Sequence, residues 1–101
     1  MYFAFCYPYS YSKHLNYLNE LNDHCYNDDF YFYKEVLVKS SEGRDVHLLT
    51  ITSHDHKEQE CEELFDERLF PEVKRPYKFN KPVVLISARV HPGETPASFA
   101  M

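Results

Sequence analysis

Two side chains in the stretch Val90-His91-Pro92-Gly93-Glu94-Thr95 have the types and spacing for metal chemistry. An imidazole and a carboxylate stand at the first and fourth places of a His-Pro-Gly-Glu string. X-Pro-Gly-X is a favoured β-turn, and such a turn brings its first and fourth residues close together. Read blandly, His91 and Glu94 are only the flanks of a turn, and short motifs match by chance often. Read as chemistry, both can reach one zinc ion at about 2.0–2.2 Å. A catalytic zinc takes three protein ligands and keeps one place open for water, and two histidines with a glutamate make one such set. His91 and Glu94 supply two of the three. A second histidine must come from elsewhere.

The elements around the turn must hold it. The run Val83-Val84-Leu85-Ile86 is continuously apolar and β-branched-rich, so residues 83–90 read as a strand, expected among the most buried of the fold. A polar string directly after such a strand is where α/β proteins place chemistry. Beyond it, Thr95 is expected to cap a helix with Pro96 at its first position, a helix cut short at Met101.

Upstream, "YFAF" reads as a short strand closed by Tyr7-Pro8-Tyr9. "SYSKHLNYLNELNDHC" places Tyr11, Leu15, Leu18, Leu21 or Asn22, and Cys25 at helical spacing, with Ser10 or Ser12 as the N-cap and Asn27-Asp28-Asp29 as the stop. "YKEVLVKS" and "DVHLLTITS" read as two strands joined through Gly43, an antiparallel hairpin. Residues 54–82 are charged and carry three prolines. They read as a surface excursion with a short helix across Glu58 to Phe65.

Other candidates weigh less. His54 and His56 form an "HDH" cluster at a strand end, and such clusters can bind metal, but a solvated loop start explains them as well. His47 alternates with Val46 and Leu48 and is expected to face one side of a sheet. His14 and His24 fall in the helical stretch and take no site role. The acidic run "EQECEELFDE" reads as a solvated helix face. The aromatic clusters could stack bases, but the net charge is −5 with no basic face, which argues against nucleic acid and against an acidic membrane surface. Three cysteines far apart, with no paired framework, fit a reducing compartment. Neither a signal peptide nor a membrane-length apolar run is visible, so a soluble, cytosolic protein is expected.

Several blocks of the chain together resemble one family. "SARVHPGETPASF" is similar to the zinc-binding segment of the cytosolic carboxypeptidases, metallocarboxypeptidases that shorten polyglutamate chains on tubulin. "YFAFCYPYSY", "GRDVHLLTITS", "ERLFPE", "RPYKF" and "KPVVLISARVHPGETPASF" follow in the family's order, from Tyr2 to Phe99. The resemblance implies His91 and Glu94 as zinc ligands. It implies an α/β fold, part of a metallocarboxypeptidase-type mixed sheet with flanking helices. It implies a polyglutamylated tail such as that of tubulin as substrate, in the cytoplasm and associated with microtubules. The family's third zinc ligand, its catalytic glutamate and its substrate-carboxylate-binding asparagine and arginine lie downstream of the matched motifs. Residues 1–101 are therefore expected to be the N-terminal part of a catalytic domain, inactive alone. The alternative is a catalytically inactive binding or structural remnant of such a domain.

Overall fold

The computed structural model describes all residues except Tyr2 and residues 26–28. It is an α/β chain with six elements among the described residues. These are α1 (Tyr11–His24), β1 (Tyr31–Lys39), β2 (Asp45–Thr52), β3 (Lys57–Cys61), β4 (Tyr77–Phe79) and α2 (Thr95–Ala100). The strands form two separate two-stranded antiparallel sheets, β1-β2 and β3-β4. The chain divides into two compact units: Met1–Leu21 with Val83–Met101, and Asn22–Pro82.

In the first of these, α1 starts where the sequence puts a cap. Ser10 Oγ accepts a hydrogen bond from Lys13 N–H at 3.1 Å, satisfying one of the donors that a helix start leaves over. The more protected positions of α1 are Tyr11, His14, Leu15, Leu18, Leu21 and Asn22, which is one helical face, and Leu18 is 2% exposed. Tyr9, just before the helix, is buried and meets Phe99 of α2 edge to face at 4.9 Å between ring centroids. Lys13 Nζ stands 4.5 Å over the same Phe99 ring. This small cluster seats α2 beside the start of α1.

Two strand expectations in this unit fail. Residues 3–5 form no strand, and Phe3 and Phe5 are exposed; Tyr2 lies outside the described residues. Residues 83–90 form neither a strand nor a bridge. Val83 is 88% exposed, Val84 82%, Leu85 80% and Ile86 68%. The physical reason lies in the pattern itself. A run apolar on both faces is stable as a strand only with neighbours at its edges and cover on both faces. Neither two-stranded sheet takes this run as a third strand.

That second unit is built on the β1-β2 hairpin. The register runs from Tyr31↔Thr52 to Lys39↔Asp45, with one extra residue on β1 between Val36 and Val38. The turn is tied by Ser40 N to Arg44 O (2.8 Å) and Gly43 N to Ser40 O (2.9 Å), with Gly43 at φ 75°. The extra residue, Leu37, turns its carbonyl out of the ladder, where Phe70 N–H donates to it at 2.7 Å. Alternate residues of β1 hold the charged excursion. Tyr31 OH accepts from Tyr77 N–H (3.1 Å), Tyr33 OH donates to Lys74 O (3.0 Å), and Glu35 pairs with Arg75 (2.8 Å). Period-two side-chain direction explains why residues 31, 33 and 35 act together.

The excursion also corrects the expected helix across Glu58 to Phe65. Lys57–Cys61 is a strand, antiparallel to Tyr77–Phe79. Its consecutive long polar side chains, all exposed, suit a solvated strand as well as a helix face. Lys78 settles it by standing across from the acidic residues, 3.5 Å from Glu60 and 3.3 Å from Glu63. The run is solvated, as expected, but not helical. The stop assigned to Asn27 and Asp28 lies outside the described residues. α1 ends at His24.

Candidate functional site

The turn at residues 91–94 forms as its sequence predicts. Glu94 N–H donates to His91 O at 3.1 Å, closing the four-residue turn over Pro92 and Gly93. Glu94 then occupies the position before α2, and Ala97 N–H donates to its carbonyl at 3.2 Å. Thr95 does not cap the helix. It is the first helical residue, it is buried, and its hydroxyl donates to Cys6 Sγ at 3.2 Å. Burial against the N-terminal segment outweighs a capping bond, and Pro96 removes one of the donors that a cap would have served.

His91 and Glu94 converge. His91 Nδ1 lies 3.0 Å from Glu94 Oε1, with the two side chains 75% and 54% exposed. Two donors on one tetrahedral zinc would stand about 3.4 Å apart, from metal–ligand distances near 2.0–2.2 Å. The observed separation is close to that, so little rearrangement is needed for the pair to close on a cation instead of on each other. Their exposure keeps the outer side of such an ion open to water. The pair therefore fits two places of a zinc site. Among the described residues no third His, Cys, Asp or Glu completes a metal cluster.

Of the other histidines, His14 shares the turn's unit and lies on α1. His47, His54 and His56 belong to the hairpin unit. His54 is exposed with its ring 6.3 Å from that of Tyr31, edge to face. His56 adopts φ 57°, and its carbonyl accepts from Asn80 N–H at 3.1 Å. His47 is half-buried, and desolvation, helped by the Lys34 charge, holds its imidazole below the ordinary histidine range. All three cysteines are free thiols.

Two residues that sequence reasoning passed over hold the turn in place. Arg89 takes φ 58°, and its guanidinium donates to Pro92 O from Nε (3.1 Å) and Nη2 (3.0 Å) and to Tyr9 O from Nη1 (2.6 Å). Cys6 Sγ donates to Gly93 O at 3.6 Å and accepts from Thr95. The available signal was a lone arginine interrupting an apolar run two residues before the histidine. Cys6 carried no signal in sequence.

Known proteins match the chain almost from end to end. Cytosolic carboxypeptidase-like protein 5 of Homo sapiens is 43% identical over 110 residues, taking in 97% of this chain. Its namesake in Danio rerio is 36% identical over 113 residues. Cytosolic carboxypeptidase 6 of Homo sapiens is 40% identical over 97 residues, or 96% of this chain. Over this stretch the chain is homologous to the cytosolic carboxypeptidases. No protein-family model matches it. The chain spans 12% of the human like-protein 5 and 15% of human cytosolic carboxypeptidase 6. The names of these carboxypeptidases place them in the cytosol, and no helix among the described residues is long and apolar enough to cross a membrane.

Proposed function

We propose that this chain carries the first two zinc ligands, His91 and Glu94, of a metallocarboxypeptidase that removes glutamates from polyglutamylated protein tails such as those of tubulin. The supporting observation is the convergence of His91 Nδ1 and Glu94 Oε1 at 3.0 Å on a closed turn. It stands within a chain whose relatives at 36–43% identity are called cytosolic carboxypeptidases. The chemistry a zinc ion supplies in such a site is polarisation of the scissile carbonyl and acidification of its bound water. The chain's own contribution is to present an imidazole and a carboxylate from one short turn, so that the two donors share a metal without long-range assembly. The reaction also needs a third protein ligand and a general base. Both are assigned to the catalytic domain beyond these two residues. The enzyme acts in the cytoplasm on microtubule-bound substrate.

The test is glutamate release from a polyglutamylated tubulin-tail peptide by the natural full-length protein. Zinc-dependent release that disappears in His91→Ala and in Glu94→Ala is the expected result. Release unchanged in both variants would remove the ligand assignment. A full-length protein that binds the peptide and releases nothing would favour the inactive-remnant reading.

A further inference from the structure

We propose that Arg89 is a positioning residue for the His91–Glu94 pair, an inference that rests on the metal-site reading above. The turn that carries the pair is short and exposed, and its own hydrogen bond, Glu94 N–H to His91 O, fixes only its closure. What fixes its place against the rest of the unit is the Arg89 guanidinium. It donates twice to Pro92 O, inside the turn, and once to Tyr9 O, on the segment leading into α1. A planar fork with several donors can bridge two carbonyls at once, which a single ammonium cannot do in the same geometry. The backbone bears a cost for this arrangement. Arg89 sits at φ 58°, a left-handed conformation that a residue with a Cβ seldom adopts. Such strain persists where surrounding contacts over-determine it.

A second tie acts at the other side of the turn. Cys6 Sγ donates to Gly93 O and accepts from the Thr95 hydroxyl. Arg89 and Cys6 thus hold consecutive turn carbonyls, Pro92 and Gly93, to the same N-terminal segment, Cys6 to Tyr9. Neither side chain is offered as a metal ligand. They act through the pair, by holding its two donors at a fixed separation and orientation, and outer residues with that role typically change metal affinity by about 10–100-fold.

The experiment is titration of the purified chain with Co²⁺, read from the visible d–d bands, in wild type, Arg89→Gln, Arg89→Lys, His91→Ala and an Arg68→Gln control. Arg68 bonds to Asp66 in the hairpin unit. Arg89→Gln is expected to weaken Co²⁺ binding by at least tenfold and to alter the band shape, with Arg89→Lys intermediate and Arg68→Gln unchanged. In parallel, ¹⁵N relaxation of the metal-free chain should show lower order at the Glu94 and Thr95 amides in Arg89→Gln, with the β1 and β2 amides unaffected. Wild-type affinity, spectrum and amide order in Arg89→Gln would overturn the proposal. If wild type shows no Co²⁺ spectrum that His91→Ala removes, the metal reading falls and the amide order alone decides whether Arg89 sets the turn. Loss of the whole Met1–Leu21 and Val83–Met101 unit in both Arg89 variants would make the residue a general support of the fold and would also overturn the assignment.

Discussion

Gly93 and Gly43 show at the residue scale that the same amino acid can serve two different needs. Gly43 closes the hairpin at φ 75°, where an L side chain is strained although an added Cβ would meet nothing. Gly93 adopts no left-handed φ, and a Cβ there would also meet open space. The Pro-Gly turn at the candidate site is thus held by Pro92 and by the hydrogen bonds to its carbonyls rather than by glycine's freedom. Gly93→Ala should leave the chain as stable as before or raise stability by about 0.4–1 kcal/mol through the unfolded state. Gly43→Ala should lower stability by about 1–2 kcal/mol. Urea unfolding of the two variants side by side checks both. Equal losses would mean that Gly93 also carries a backbone constraint.

Among elements, the β1 strand decides how the charged excursion is held. Glu35 is 2% exposed and Arg75 11%, and the guanidinium also donates to Glu63 O at 2.8 Å and stacks 3.5 Å from the Phe70 ring centroid. Glu35 Oε1 is buried with no hydrogen-bond partner among the described residues. An ion pair so enclosed is costly to break from one side, because the remaining charge is left without compensation. Arg75→Ala is expected to destabilise the hairpin unit by about 3–5 kcal/mol, while Glu35→Leu with Arg75→Met recovers much of the loss. Unfolding followed by tyrosine fluorescence reads this, since the Tyr31, Tyr33 and Tyr77 rings cluster in the same unit. A loss under about 1 kcal/mol in Arg75→Ala would place the pair with ordinary surface ion pairs.

His47 adds a pH dependence to the same hairpin. Desolvation lowers its folded-state value below the ordinary one near 6.5, with the Lys34 charge acting the same way and Asp45 and Glu72 opposing. The unfolded chain therefore binds this proton more readily than the folded one. The contribution is fully present above about pH 6.5 and is lost as pH falls through and below that value. Hairpin stability should decline between about pH 6.5 and 5, and His47→Gln should flatten that decline. An unchanged slope in the variant would assign the pH dependence to other groups.

At the scale of the whole molecule, the outstanding feature is the apolar segment Val83–Ile86, exposed and without a ladder partner among the described residues. Such a segment is a template for pairing with another chain. The 101-residue chain is expected to bind a hydrophobic dye such as ANS and to self-associate with rising concentration. Val84→Lys and Leu85→Lys should reduce both, as analytical ultracentrifugation would show. A monodisperse monomer with no dye binding would contradict the exposure.

The sequence by itself determined the local features. Ser10 and the 3.6-residue stripe from Tyr11 to Leu21 specified α1, because capping and amphipathicity act within one or two turns of chain. Gly43 between two alternating runs specified the hairpin, and Pro92-Gly93 specified the turn that brings His91 to Glu94. Each rests on contacts a few residues apart. Tertiary structure alone decided the rest. The strand at 57–61 depends on Tyr77–Phe79, and the ion pair on residues 35 and 75. The support of the turn depends on Arg89 meeting Tyr9 and Cys6 meeting Thr95. The run at 83–90 shows the same limit from the other side. Its composition encodes a buried strand, but burial is a property of neighbours, and within the described residues it has none to pair with.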